Sequence, residues 1–259
     1  MNIATTHRAR TCLIAAALGL LALGAPTMAQ ATPTITAFKI EAVPIQGFAG
    51  TGDMLGAAAA VEGQLTIAGS EYSGDPLPLT GMKFYAPAGA KLHAQGFATC
   101  APSVIEQSGP MKCPKGSAAG PKGAVTGVVS FGGERVPETA SLQPFFAPGG
   151  KLEVFLDGTT PTLLEILGAA SVISAAPPFG LEFTGEIPLI ETVPEAPDAS
   201  FLHGSIRVGA ARRQGNRTIS YITLPQRCPK GGWPTKIGLS FLGGGTAEAS
   251  YEMPCPKGS

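Results

Sequence analysis

The sequence predicts an all-β fold, an antiparallel β-sandwich of jelly-roll or Ig-like type, closed by two disulfides. Apolar and polar residues alternate with period two in many short runs, which sets one face of each strand on a core and the other in water. Gly and Pro are abundant, 35 and 24 of 259 residues, while 44% of the chain stays apolar. That composition suits short strands joined by tight turns and excludes disorder, which needs low hydrophobicity and high charge. Four cysteines follow an export signal, the setting in which disulfides form and persist.

Residues 1–31 have the layout of a secretory signal peptide. Arg8 and Arg10 form a basic start, Leu13 to Leu23 carries no polar side chain, and Ala29-Gln30-Ala31 fits a small-x-small cleavage site. A membrane span needs about 20 apolar residues, more than this run supplies. Cys12 precedes the apolar run, whereas a lipid-attachment cysteine would follow it. The chain is therefore expected to be secreted, with residues 32–259 as the mature β-domain and no transmembrane anchor in it. Removing 1–31 takes away two arginines and no acid, leaving 16 basic against 18 acidic residues. Such a balance argues against a nucleic acid or an anionic membrane held by net charge.

The mature part opens with FKIEA, where Phe38, Ile40 and Ala42 alternate with Lys39 and Glu41. TGDMLGAAAA (51–60) reads as a short helix or a small-residue loop. VEGQLTI follows, with Val61, Leu65 and Ile67 on one face. PLTGMKFYAP, KLHAQGF, GAVTGVVSF and KLEVFLDG read as further strands with turn residues between them. TTPTLLEILGAASVISAAPP is the one credible helix, with Thr160 as cap and Pro161 in the first turn. Gly168 and the run Ser171 to Ser174 weigh against it, and a strand is predicted there. GLEFTGEIP, HGSIRVGA, RTISYITLP, KIGLSFLG and EASYEMP complete the set. Between the last two blocks of strands, ETVPEAPDAS (191–200) is a possible domain boundary or a long surface loop within one core. One continuous core is the preferred reading.

CPKG occurs at Cys113, Cys228 and Cys255. With Cys100 these are the four cysteines of the mature chain, and they allow three pairings. Spacing favours the local one: Cys100–Cys113 around the loop APSVIEQSGPMK, and Cys228–Cys255 across a hairpin with glycines at its turn. Each bridge would stabilise by roughly 3 kcal/mol through loss of unfolded-chain entropy. Zinc sites need ligands paired at short spacing, and redox sites need CxxC; each CPKG holds a single cysteine. No metal or cofactor is expected.

The cysteine motifs GFATC…MKCPKGS and LPQRCPKGGWP…MPCPKG resemble those of a group of uncharacterised exported actinobacterial β-proteins, in which FxTC…CP precedes LPxxCPxGG…CP. The resemblance implies secretion, disulfides and a β-fold, and implies no activity or site residue.

Catalytic signatures are missing from the sequence. There is no GxSxG elbow, HExxH, EF-hand loop, P-loop or dinucleotide glycine pattern. His93 and His203 fall on apparent strands and read as polar strand residues. Glu182 and Glu186 share the solvent face of GLEFTGEIP. The sequence places no two carboxylates (Glu153, Asp157 and Glu165 among them) together for glycosidase chemistry. Trp233, shortly after Cys228, is the candidate ligand contact, against the plainer role of packing over the Cys228–Cys255 bridge. The expected function is a secreted, non-enzymatic binding or structural module with an envelope, extracellular protein or glycan partner. A secreted hydrolase acting on glycan or lipid is the alternative, and a subunit of an extracellular assembly is a third reading.

Overall fold

The structure, a computed structural model, describes residues 32–45, 48, 58–192 and 195–256, which belong to one compact unit. The predicted signal peptide and most of TGDMLGAAAA lie outside the described residues; Ala58 to Ala60 open a strand. Fifteen strands, one short α-helix and three single 3-10 turns make up the described fold. All strand pairing is antiparallel.

Five consecutive strands form the centre of the sheet as a meander: β5 (Gly123–Phe131), β6 (Glu134–Phe146), β7 (Leu152–Thr160), β8 (Leu164–Ser174) and β9 (Phe179–Glu186). Beyond β5 come β10 (Ser200–Val208), β2 (Ala58–Ala68) and β1 (Thr34–Val43). Beyond β9 come β3 (Leu79–Pro87), β14 (Trp233–Phe241) and β15 (Thr246–Met253). The two flanks then meet. β1 runs beside β15, and the Phe38 ring lies 6.2 Å from Tyr251 and 6.5 Å from Phe84. One sheet is thus folded over so that its inner faces pack on each other, which gives the two layers of a sandwich from a single ladder. Two-residue strands β4 (Lys91–Leu92) and β13 (Ile222–Thr223) extend β2, and β11 (Ala211–Gln214) and β12 (Arg217–Ser220) form a separate hairpin turning at Gly215.

Period-two alternation sets the core. Leu65 and Ile67 of β2 meet Ile237, Leu239 and Phe241 of β14 across the interior, with Leu79 of β3 completing the cluster. At the other end, Phe146, Leu152, Tyr221 and Ile222 form a second cluster, backed by Phe97. The Phe146 and Tyr221 rings are 4.6 Å apart. Burial pushes the Tyr221 phenol up to about 12, because its ionised form would have no water around it.

Some segments follow their sequence reading and others differ from it. LEILGAASVIS is a strand, as predicted, because β7 and β9 pair with it on both sides. KLHAQGF is a strand only at Lys91–Leu92; Gly96 then adopts φ 78°, and the chain turns Phe97 inward. RTISYITLP breaks at Tyr221, whose side chain leaves the ladder for the core. ERVPETASLQPFF, which contains Pro137 and Pro144, is a central strand although proline lacks the ladder N–H. The loop between Cys100 and Cys113 contains a helix, α1 (Pro102–Ser108). Its Ile105 is fully buried against Phe145 and Phe155 on the outer face of the meander.

Candidate functional site

The meander is hollow where the flanks are packed. Its inner-face positions alternate larger apolar residues with small ones. In β8, Leu164 and Ile166 are followed by Gly168 and Ala170; β7 has Val154 and Leu156, then Gly158; β9 has Phe183, then Gly185. Gly158 and Gly168 each stand beside a larger residue on the neighbouring strand (Leu164 and Val154), while Ala170 and Gly185 are register partners, and a cavity of about 310 Å³ is left between the meander, β3 and β10. Its walls are apolar over nearly their whole area. At Gly168 an added Cβ would meet nothing closer than 3.9 Å, so the space there is real and not claimed by a neighbour.

The mouth lies at the end of the sheet that carries the β5–β6 and β7–β8 turns. The chain leaves β9 there, and the described residues 187–192, with Ala199 and Ser200 at the start of β10, form a strap along the cavity. Ile187, Leu189, Ile190 and Thr192 line the opening from this strap. Ile187 N–H donates to Thr80 O at 3.0 Å, tying the strap to β3, and Ala199 N–H donates to Ile190 O at 2.8 Å, joining the two arms of the connection. Around the mouth, Leu163 is 83% exposed and Leu189 44%.

Two titratable groups line the cavity, Glu138 and Glu186, among the described residues. Glu186 is exposed, whereas Glu138 is half-buried. The Thr192 hydroxyl, itself nearly buried, donates to Glu138 Oε1. Removal from water raises the Glu138 carboxyl above the ordinary carboxylate value, and the Thr192 hydrogen bond partly offsets this. No lysine or arginine forms an ion pair with Glu138 among the described residues. Ser200 is the serine on the cavity wall, and its hydroxyl is already spent on Pro76 O at 2.6 Å. No His, Cys, Lys, Arg or Tyr lines the described cavity.

Of the residues singled out from sequence, Glu186 borders the cavity and the others lie elsewhere. Cys100–Cys113 and Cys228–Cys255 are both bridged, with Cα–Cα distances of 5.2 and 5.8 Å. Trp233 is 2% exposed, packed with Ile40, Leu224, Met253 and Cys228, and its indole N–H donates to Arg227 O at 2.9 Å. It contributes nothing to the cavity wall. His203 is exposed and shares a 3.0 Å hydrogen bond with Thr66; His93 is exposed near β4. Glu182 pairs with Lys83 at 3.1 Å on the outer face, which lowers its carboxyl below the usual value. Asp157 and Glu165 are register partners on the outer face of β7 and β8, with Lys122 3.7 Å from Asp157. Glu153 is buried on that outer face, and burial raises its carboxyl. No group of three or more His, Cys, Asp or Glu is placed to hold a metal ion among the described residues.

At the mouth end, Asp75 is nearly fully buried and holds two loops together. Ser130 Oγ donates to it at 2.6 Å and Arg135 Nε at 3.1 Å, so the β2–β3 connection is tied to the β5–β6 hairpin.

Sequence reasoning missed the cavity and Glu138. The available signal was the inner-face parity of GAVTGVVSF, ETASL, LEVFLDG and LEILGAA, where Gly or Ala recurs in place of a large residue. No family model, curated protein or solved structure matches the chain at a significant level.

Proposed function

We propose that this chain is a secreted, non-enzymatic binding module that holds a small apolar molecule inside its β-fold. The observation that carries the reading is the apolar cavity of about 310 Å³. Ligand pockets of roughly 300–1,000 Å³ are typically apolar with a few placed polar groups. An apolar cavity of about 150 Å³ already stays dry and takes benzene, so twice that space suits a chain or ring system of about eight to ten carbons. The exposed Leu189, which lines the cavity, offers an apolar route inward. The signal-peptide layout, the resemblance carried by the cysteine motifs and the two disulfides support export. The wall chemistry favours holding over hydrolysis, since the described wall is apolar over nearly its whole area and offers no His, Cys or Lys.

The test is binding of N-phenyl-1-naphthylamine, a dye that brightens in apolar surroundings, to the secreted protein. We expect saturable, one-site binding that Gly168→Phe abolishes by filling the cavity. Binding that survives Gly168→Phe would place the dye on the outer surface and sink the reading.

A further inference from the structure

Glu138 is the inward-facing acid of β6. It lines a cavity whose wall is otherwise mostly apolar, with exposed Glu186 the other acid, and its partner among the described residues is one hydroxyl, Thr192, which approaches Oε1. No guanidinium or ammonium of the described protein balances it. The carboxyl is half-buried, and partial removal from water without a counter-charge disfavours its charged form. An alanine or leucine at this inward position would pack the wall at no such cost. Neighbouring inward positions on the same strand are Ala140 and Leu142, so the strand otherwise follows the apolar rule.

The position of Glu138 defines what it can do. It stands at the mouth end of β6, under the strap, where a molecule filling the cavity would have its last atoms. The second carboxylate oxygen has no donor assigned to it among the described residues.

We propose that the cavity takes an amphiphile whose apolar body fills the hollow of the meander and whose primary ammonium head is received by Glu138. The assignment rests on the cavity being a ligand site and adds to it the class of ligand. The ammonium supplies the missing counter-charge and up to three N–H donors, enough for the free oxygen of Glu138 and for carbonyls of the strap. A neutral hydroxyl head satisfies the free oxygen without balancing the charge and binds less well. A carboxylate head sets like charge against like and binds worst. The strap residue Thr192, already bonded to Glu138, closes over the head from the outside.

The experiment is displacement of bound N-phenyl-1-naphthylamine at pH 7 by octylamine, 1-octanol and octanoate, each below its micellar concentration. The apolar body is the same throughout, so differences report the head. Octylamine should bind about tenfold more tightly than octanoate, equivalent to about 1.4 kcal/mol, with octanol between them. Glu138→Gln keeps the shape and removes the charge, and should narrow the gap between amine and carboxylate to threefold or less. Equal affinity of the three heads, or octanoate binding tightest, would overturn the assignment to Glu138 while leaving the cavity as an apolar site. A dye that binds only outside the cavity, as judged with Gly168→Phe, would overturn the site itself. The order of the three heads is measured on the unaltered protein, so the outcome does not depend on the variant folding.

Discussion

On the inner face of β14, Ile237, Leu239 and Phe241 are almost fully buried against Leu65 and Ile67 of β2. On the inner face of β8, Leu164 and Ile166 give way to Gly168 and Ala170, and the space they face is open. Both strands are central, antiparallel and paired on two sides. Backbone hydrogen bonding is therefore equally complete in the two regions, and only the side-chain volume differs. A sheet is held by its ladder but filled by its side chains, so small inward residues produce a cavity without breaking the fold.

The sharpest way to test that contrast is to shorten side chains on each side of it. Phe241→Ala in the packed half should cost about 3–5 kcal/mol, because it removes a large buried group and leaves a new void. Ile166→Ala in the hollow half already faces empty space and should cost well under half as much in urea denaturation. Equal losses would mean that the meander is packed by atoms other than its own.

The disulfides divide along the same line. Cys228–Cys255 closes the β14–β15 hairpin of the packed half, and Cys100–Cys113 clips α1 to the back of the meander. With sequence separations of 27 and 13, chain entropy gives about 3.5 and about 3 kcal/mol. Replacing each pair by serines should lower stability in that order. Loss of Cys100–Cys113 should also loosen the cavity wall, seen as faster amide exchange in β6 and β7. Unchanged exchange there would show that α1 does not brace the meander.

Filling the hollow should act in the opposite direction. Gly168→Leu adds apolar volume where a Cβ meets nothing nearer than 3.9 Å and replaces a poor strand residue. Stability should hold or rise by about 1 kcal/mol while dye binding disappears. A clear destabilisation would mean that the meander cannot accept the volume.

The smallest effect is the pH dependence of Glu138. Its folded-state carboxyl is raised, so charging it costs more in the folded protein than in the unfolded chain. Below the ordinary carboxylate value the side chain is protonated in both states, and the penalty is absent. It grows as pH rises through the folded value and is fully present above it. The wild type should therefore lose stability relative to Glu138→Gln across that interval, measured by thermal melts from pH 4 to 8. Parallel melting curves would show that the cavity mouth is as wet as the surface.

How much of this was legible in the sequence depends on the kind of information asked for. Alternation along KLEVFLDG and VEGQLTI identified strands directly, since a strand declares its buried face in its own residues. Cysteine spacing and the glycine-turned hairpin gave the two bridges that form. The prolines at 137 and 144 concealed β6, because a central strand normally supplies every N–H to its neighbours. Trp233 drew attention as an aromatic residue, yet its indole is used inside the core, where its N–H finds Arg227 O.

Local alternation, turn residues and cysteine spacing determined by themselves that this chain is an antiparallel β-protein with two clips. Which strands become neighbours was decided only in three dimensions, because β10 reaches β5 by crossing over the mouth and β1 reaches β15 by the sheet folding over. The cavity belongs to that second kind of information. A glycine in one strand says little alone; whether it opens a void depends on what faces it across the interior, and strand order sets which residues those are.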